Sequence, residues 1–574
     1  MNVSEFIAKY LEKKIKKIFT VTGGGMMFLT NALNNSKISL IFNHNEQASI
    51  FATDAMARVS GKTQVCFATS GPGITNCVTG ITSAWQDSTP LIVIAGQSKS
   101  KETIQFSKIK NLRQHGTFEA NAIEILKPIT KFSKQITNPN SIKYYLDKAF
   151  YESKNLRPGP VYLEIPLDIQ SSKFNLNEYK TFIPKKEKLK KLNLKLIKKY
   201  LNKSSKPIIL IGNGVNISKQ SSKISQIIRK LKIPTLTTQL GKEAIEYENE
   251  FFIGHTGPKG DRAGNLAIQN SDLILILGSS LHSQTIGWEH NKFSLNSYKI
   301  QIDPDKSILK KNSFINYKIN SDLKNAVNDL KKISLKKDFT EWHKKCLKWK
   351  NEYQVISEPH IRDKKVLNYY DIVHTISELI PENSTIVSDA GAAFYIMGQA
   401  FRIKKKQKYI IPGSLGQMGY AIPAASGISS IVDKNIFCIT GDGSMMTNFH
   451  ELSVIKRNNF NIKIFLINNG GYMSIRNSQK EFFQNNIHGT NYQSGIYIPK
   501  IYDIAKFFRI KYYKCITKKN ISVNFKKEIK HFRPVIFDCH SMKDQIIIPS
   551  IKSKVIKGKL VAQPLDNMYP YLDL

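Results

Sequence analysis

Residues 441–471 read GDGSMMTNFHELSVIKRNNFNIKIFLINNGG, and the folding of this stretch decides how the rest of the chain is read. An apolar run, IFCIT, enters it and closes on Gly441. A helical pattern follows, then a second apolar run, IKIFLIN, which delivers Asn469 and two glycines. This is a strand–helix–strand unit with both Gly-rich turns at one end, as in a parallel sheet that binds ligands at its strand carboxyl ends. Gly441 and Gly443 permit close backbone approach. The amides of Gly443 and Ser444 would face an anion from a helix start, which suits a diphosphate. Asp442 is a hard carboxylate for Mg²⁺, Asn469 a neutral oxygen ligand and Gly471 a backbone carbonyl; two diphosphate oxygens and a water would complete the octahedron. Taken singly, GDGS and NNGG are turns. Their pairing across one helix and one strand points to a metal-held diphosphate.

The same pattern of apolar runs closing on Gly or Ser recurs outward from this unit. IFTVTGG, VCFATSGPG, PLIVIAGQ and RPGPVYLEIPLD place a first domain over 1–175. KPIILIGNGV, IPTLTT, DLILILGSS and KIQIDPD place a second over 190–335, and a charged, Trp-containing helical connector occupies 336–365. STIVSDAG, IFCITGDGS, IKIFLINNGG and RPVIFDCH place a third over 366–545, with a tail over 546–574. The fold class predicted is α/β, three doubly wound parallel-sheet domains.

Composition narrows the function classes. Hydrophobic content of 41% fits a globular chain. No run approaches the ~18–20 apolar residues of a membrane helix, and MNVSEFIAKYLEKK reads as an amphipathic helix rather than a signal peptide. The six cysteines are scattered, with no CxxC, which predicts a reduced, cytoplasmic protein. The net charge of +41 is spread over Lys-rich stretches between apolar segments, and reads as solvated faces rather than a nucleic-acid site.

With GDG, a spacer of this size and then NN, the chain resembles the thiamin-diphosphate (ThDP) enzymes. The resemblance implies a carboxylate in the first domain that hydrogen-bonds the aminopyrimidine ring of the cofactor. NHNEQASIFATDAMARVSGK (43–62) supplies Glu46, with TSGPGITN and PLIVIAGQ around it. In PGSLGQMGYAIPAASG (412–427), Met418 matches the bulky residue that holds the cofactor bent, and Gly416 the carbonyl that orients its amino group. SDAG, ending in Gly391, resembles the other diphosphate-side loop and continues into Ala392 and Ala393; Tyr472 follows Gly471 on the cofactor side. In this family Glu46 and Asp442 would come from different subunits, so a homodimer or homotetramer is implied.

The motifs GPGITN, RPGPVYLEIP and LGQMGYAIPAA are most similar to acetolactate synthase catalytic subunits. The resemblance implies loss of CO₂ from pyruvate and transfer of the two-carbon unit to a second carbonyl compound. It assigns Gly24 to space over the thiazolium, and Gln97 and Lys131 to the surroundings of cofactor and substrate. Departures fall on the acceptor side. Gln284 stands where the family carries an Arg for the acceptor carboxylate, Ser478 where it carries a Trp, and Ala392-Ala393 where it carries Gln-His; Arg476 is a candidate replacement for the lost guanidinium. The acceptor is read as pyruvate or, given a likeness to proteins of surface-polysaccharide and branched-sugar pathways, a keto-sugar nucleotide. FAD is the further cofactor implied for the second domain, where GNGV, TTQLGKEA and GHTGPKGDRAGN are either its loops or ordinary strand-end turns. A simple 2-oxo acid decarboxylase or oxidase, and a nucleic-acid-binding protein on this fold, are the rival readings.

Overall fold

The computed structural model describes every residue except 176–177, 186, 188, 359–365, 557–558 and 573–574, so parts of the Lys-rich linker, the connector and the tail lie outside the described residues. Three six-stranded sheets, all parallel within, are each wrapped by helices. Interior strands are apolar on both faces, as helix-covered parallel strands must be: every residue of Leu91–Gln97 and of Leu273–Leu277 is buried.

The first and third sheets share one strand order. Counted along each domain, the second strand lies at one edge, followed by the first, third, fourth, sixth and fifth. The middle sheet instead runs sixth, fifth, fourth, first, second, third, the dinucleotide-binding order with its switch point between Pro207–Ile211 and Leu273–Leu277. The two like domains are welded together within one chain. Helix Glu46–Ser60 of the first packs along helix Ala421–Ser429 of the third, and Phe51, Ala52 and Met56 join the third domain's apolar core. The approach is so close that a Cβ on Gly427 would meet the Ala52 carbonyl at 2.2 Å. Polar ties frame this seam: Asp54 accepts from the Tyr420 hydroxyl at 2.6 Å, and Asp87 from the amides of Gly413 and Ser414.

The segment read as a connector differs. Helix Thr340–Glu352 packs into the middle domain, with Trp342 and Cys346 in its core and the Trp342 indole donating to the Pro207 carbonyl. The tail returns to the same place. Ser550–Ile551 pairs antiparallel with Met568–Tyr569, and Ile551, Leu565 and Met568 complete that core. Buried Arg262 pairs with Glu358 at 2.6 Å and donates to the carbonyls of Met568 and Pro570. No described helix is long and apolar enough to cross a membrane.

Candidate active site

Strands Ile436–Gly441 and Ile462–Asn468 are parallel neighbours, with Gly441 opposite Ile467. Their carboxyl ends therefore set Asp442 and Asn469 side by side. Asp442 is 1% exposed. One carboxylate oxygen accepts from the Gly443 amide at 2.8 Å, the other from Gly470 and Gly471 at 2.7 and 3.1 Å. Burial pushes its pKa up to about 6 against these amide bonds, so the site presents a desolvated carboxylate. The Gly443 amide, expected to face a diphosphate, donates to Asp442 here, and the helix there is a single turn, Asp442–Met445. Gly471 has φ 122°, a conformation closed to side chains, and a Cβ would strike the Thr490 carbonyl at 2.1 Å.

Asn469 is 4% exposed and its Oδ1 has no hydrogen-bond partner. An orphaned buried carbonyl beside a desolvated carboxylate is the donor set of a hard cation. Among the described residues no cluster of three His, Cys, Asp or Glu side chains is present; one carboxylate, one amide and a backbone carbonyl suit an ion that keeps non-protein oxygens. The buried Ser474 hydroxyl is also unpartnered and lies 3.6 Å from where a Cβ of Gly391 would sit. It joins Gly391, and the buried Ala392 and Ala393 that open helix Ala392–Ala400, to the Asp442 group. The Tyr472 ring packs against Gly443. These residues fit a metal-bound diphosphate.

Arg476 does not replace the missing acceptor guanidinium. It is 2% exposed and fully engaged, donating to the Asn469 carbonyl at 3.1 Å, to Asp544 at 3.1 Å and to the Lys543 carbonyl. It is a positioning residue for the Asn469 loop. Ser478 points its hydroxyl back at the Ser474 carbonyl from the exposed face of the same helix.

Glu46 opens helix Glu46–Ser60 behind the cap Asn45. It is 9% exposed, accepts from the Asn76 amide at 3.0 Å, and lies against the Thr69–Gly73 loop. That loop also receives Gly23 and Gly25, leaving exposed Gly24 with open space beside it. Glu46 and Gly24 thus share one patch. In the third domain, Gly416 has φ 72° and open space, and Met418 is 42% exposed. The loop between them is pinned by Gln417 to Ser83 and by the Gly419 amide to the Ser444 hydroxyl. Within one chain, among the described residues, no hydrogen bond or ion pair joins Glu46 to Asp442 or Asn469. The nearest ties are Gln47 to Asn448 at 3.5 Å and Glu451, which accepts from Asn43 and the His44 amide.

Gln97 ends strand Leu91–Gln97, whose Gly96 lies against the Gly25 carbonyl, and so borders the Gly24 patch. Gln97 is fully buried, with its amide ends on Ser98 and Ala120. Lys131 donates to the carbonyls of Asn155 and Arg157, and burial lowers its pKa. It lines a cavity of about 750 Å³ with Trp85, Arg157 and Gln284. A second cavity of about 320 Å³ adjoins it at the strand carboxyl ends of the middle sheet, reaching Asn213, Gly214, Thr238, Ser279 and Asp303. Sequence reasoning missed Asp389, which is fully buried and accepts from Ala390, Tyr420, Ala421 and Thr440 to knit three loops behind Asp442. The acid in SDAG was its only signal.

Residues 1–122, 194–330 and 389–539 match, in turn, the N-terminal TPP binding domain, the central domain and the C-terminal TPP binding domain of thiamine pyrophosphate enzymes. The chain is 30% identical to an acetolactate synthase large subunit of Cyanidium caldarium, covering 92% of this chain and 91% of that protein. It is 30% identical to a probable acetolactate synthase large subunit of Methanocaldococcus jannaschii (94% and 91%) and 27% to the isozyme 1 large subunit of Escherichia coli (87% and 87%). The chain belongs to the thiamine pyrophosphate enzymes, as a thiamin-diphosphate-dependent transferase of the acetolactate synthase type.

Proposed function

We propose that this protein decarboxylates pyruvate with thiamin diphosphate and Mg²⁺ and transfers the two-carbon unit to a second carbonyl compound. The observation that carries the reading is the unpartnered Asn469 Oδ1 beside buried Asp442, a pair of oxygen donors that suits a Mg²⁺–diphosphate. Bound thiamin diphosphate supplies the electron sink for decarboxylation. Asp442, Asn469 and the Gly471 carbonyl would hold the metal, Gly391 and Ser474 border the diphosphate, and Met418 and Gly416 face the rings. Glu46, oriented by Asn76, would hydrogen-bond the aminopyrimidine nitrogen and set its protonation. Since Glu46 and Asp442 are not joined within a chain, the exposed Met418 and the open Gly24 patch support a site completed between subunits of a homodimer or larger assembly.

The middle sheet's dinucleotide order and its strand-end cavity support FAD as a second, structural cofactor; flavin absorbance in the purified protein tests it. The six cysteines are buried free thiols, which supports a cytoplasmic setting. Purified protein with ThDP, Mg²⁺ and pyruvate decides the main reading. Acetolactate formed without added acceptor supports pyruvate as acceptor, and CO₂ release only on adding a keto-sugar nucleotide supports the sugar. Absence of pyruvate turnover in both overturns the proposal.

A further inference from the structure

A small cavity of about 90 Å³ lies between the middle and third domains. One wall is the turn joining strand Phe252–His255 to helix Arg262–Gln269, with Pro258, Lys259 and Gly260. The facing wall is Phe394 and Tyr395, which directly follow Gly391–Ala393 on the diphosphate side. The tail closes this end, the Ile551 amide donating to the Pro258 carbonyl at 2.7 Å. Gln284 lines both this cavity and the 750 Å³ one, so it stands between the two.

Two polar atoms here have no hydrogen-bond partner among the described residues. Lys259 places its ammonium 3.9 Å from the Tyr395 ring centroid and, among the described residues, makes no hydrogen bond or ion pair. Glu481, an acid whose field reaches it, is already paired with Lys552 at 2.6 Å. His255 is 3% exposed and lines the cavity. Its backbone amide and Nδ1 are both taken by the Asp261 carboxylate at 2.9 and 3.0 Å, which leaves Nε2 buried and unpartnered. The ammonium, free of any carboxylate, complements an anion, while Nε2, with the ring proton held on Nδ1 by Asp261, is an acceptor for a hydroxyl of the same ligand; the volume suits a group of three or four heavy atoms.

We propose that Lys259 forms the subsite for an anionic group of the second substrate, a carboxylate or phosphate, in place of the guanidinium that Gln284 does not provide, with His255 Nε2 accepting from a hydroxyl beside that group. This rests on the carboligation reading for the identity of the ligand, but not for its binding. Burial, with Lys552 adding to it, pushes the Lys259 pKa down to about 8, which leaves it mostly charged at neutral pH.

Trp288 lines the cavity and is 57% exposed, so it serves as the reporter. The ThDP- and Mg²⁺-loaded protein is titrated with lactate and, separately, with inorganic phosphate, following tryptophan emission, with Trp288→Phe identifying the signal. The expected result is a saturable response to at least one anion, weakened at least tenfold in Lys259→Gln and within threefold of wild type in Lys259→Arg. The anion that responds assigns carboxylate or phosphate. In turnover, Lys259→Gln should raise KM for the charged acceptor at least tenfold more than for a neutral aldehyde. Wild-type-like anion binding in Lys259→Gln, no saturable response to either anion, or equal KM increases for both acceptors overturns the proposal. If no 2-oxo acid is decarboxylated, the carboligation reading falls while the anion titration still decides the subsite.

Discussion

The Asp442 group and the Lys259 cavity are built in opposite ways. At Asp442, backbone does the holding: three amides grip the carboxylate, a positive-φ glycine would offer its carbonyl to the metal, and two adjacent parallel strands fix the spacing. At Lys259, side chains from separate segments converge, and each could be exchanged without disturbing a strand. A diphosphate and its metal are the same for every substrate, so a backbone cradle suits them. The acceptor varies, and a cleft of exchangeable side chains is where variation is cheap. Substitutions at the first end should therefore abolish chemistry or cofactor retention, whereas those at the second should move selectivity.

The largest expected effect is at Glu46. Glu46→Gln keeps the bond with Asn76 available but cannot set the protonation of the aminopyrimidine. It should slow proton exchange at thiazolium C2 by about 10²–10⁴-fold, read by NMR after acid quench, while ThDP still binds. Unchanged exchange would sever the first-domain patch from the chemistry.

How much of this was legible beforehand follows the same division. The interior strands were read from apolar runs closing on glycine. The strands not read as such are the sheet edges: Ser39–Phe42, Ser133–Gln135, Phe252–His255, Tyr317–Asn320, Lys408–Ile410 and Lys511–Cys515. Edge strands are short, three to five residues here, and several carry polar residues in place of a continuous run, as in SKQ, YKIN and KYYKC; SLIF and the buried FIGH are apolar but too short to stand out. Asp442 and Asn469 were legible because glycine spacing encodes backbone geometry. Lys259 was not, because the residues around it, from His255 to Tyr395, are brought together only by packing. The role offered to Arg476 failed for a related reason: nothing in SIRNSQ tells which face of the helix turns inward.

Arg476 gives the next effect. Its guanidinium fixes the Asn469 carbonyl, and outer supports of this kind typically change metal affinity about 10–100-fold. Arg476→Lys should raise the Mg²⁺ concentration needed for half-maximal activity by that range, with activity rescued by excess metal. A loss that metal does not rescue would mean that Arg476 acts on folding rather than on the loop.

The Lys259 end responds to pH. Only the ammonium attracts an anion, so affinity for lactate, whose charge is constant over this range, should be level from neutral pH to about pH 8 and fall about tenfold per pH unit above it, as Lys259 loses its proton. Glu481 opposes that loss and Lys552 favours it, while bound anion shifts the fall upward. In Lys259→Arg the guanidinium stays charged and the fall should vanish. A decline that persists in the Arg variant would belong to another group and overturn the assignment to Lys259.

The smallest effect is the most discriminating between the two ends. Gln284→Arg restores a guanidinium at the position between the cavities. Gln284 is exposed, so screening limits a new ion pair to about 1 kcal/mol or less, or about a two- to fivefold lower KM for an anionic acceptor. In Lys259→Gln the same change should recover more, because one cation replaces another instead of crowding it: two cations in one cleft raise each other's cost of charging. The comparison is a double-mutant cycle read in acceptor KM, with ThDP affinity as the control that should stay flat. Simple additivity would separate Gln284 from the Lys259 subsite, and the acceptor anion would then be sought in the larger cavity beside Lys131 and Arg157.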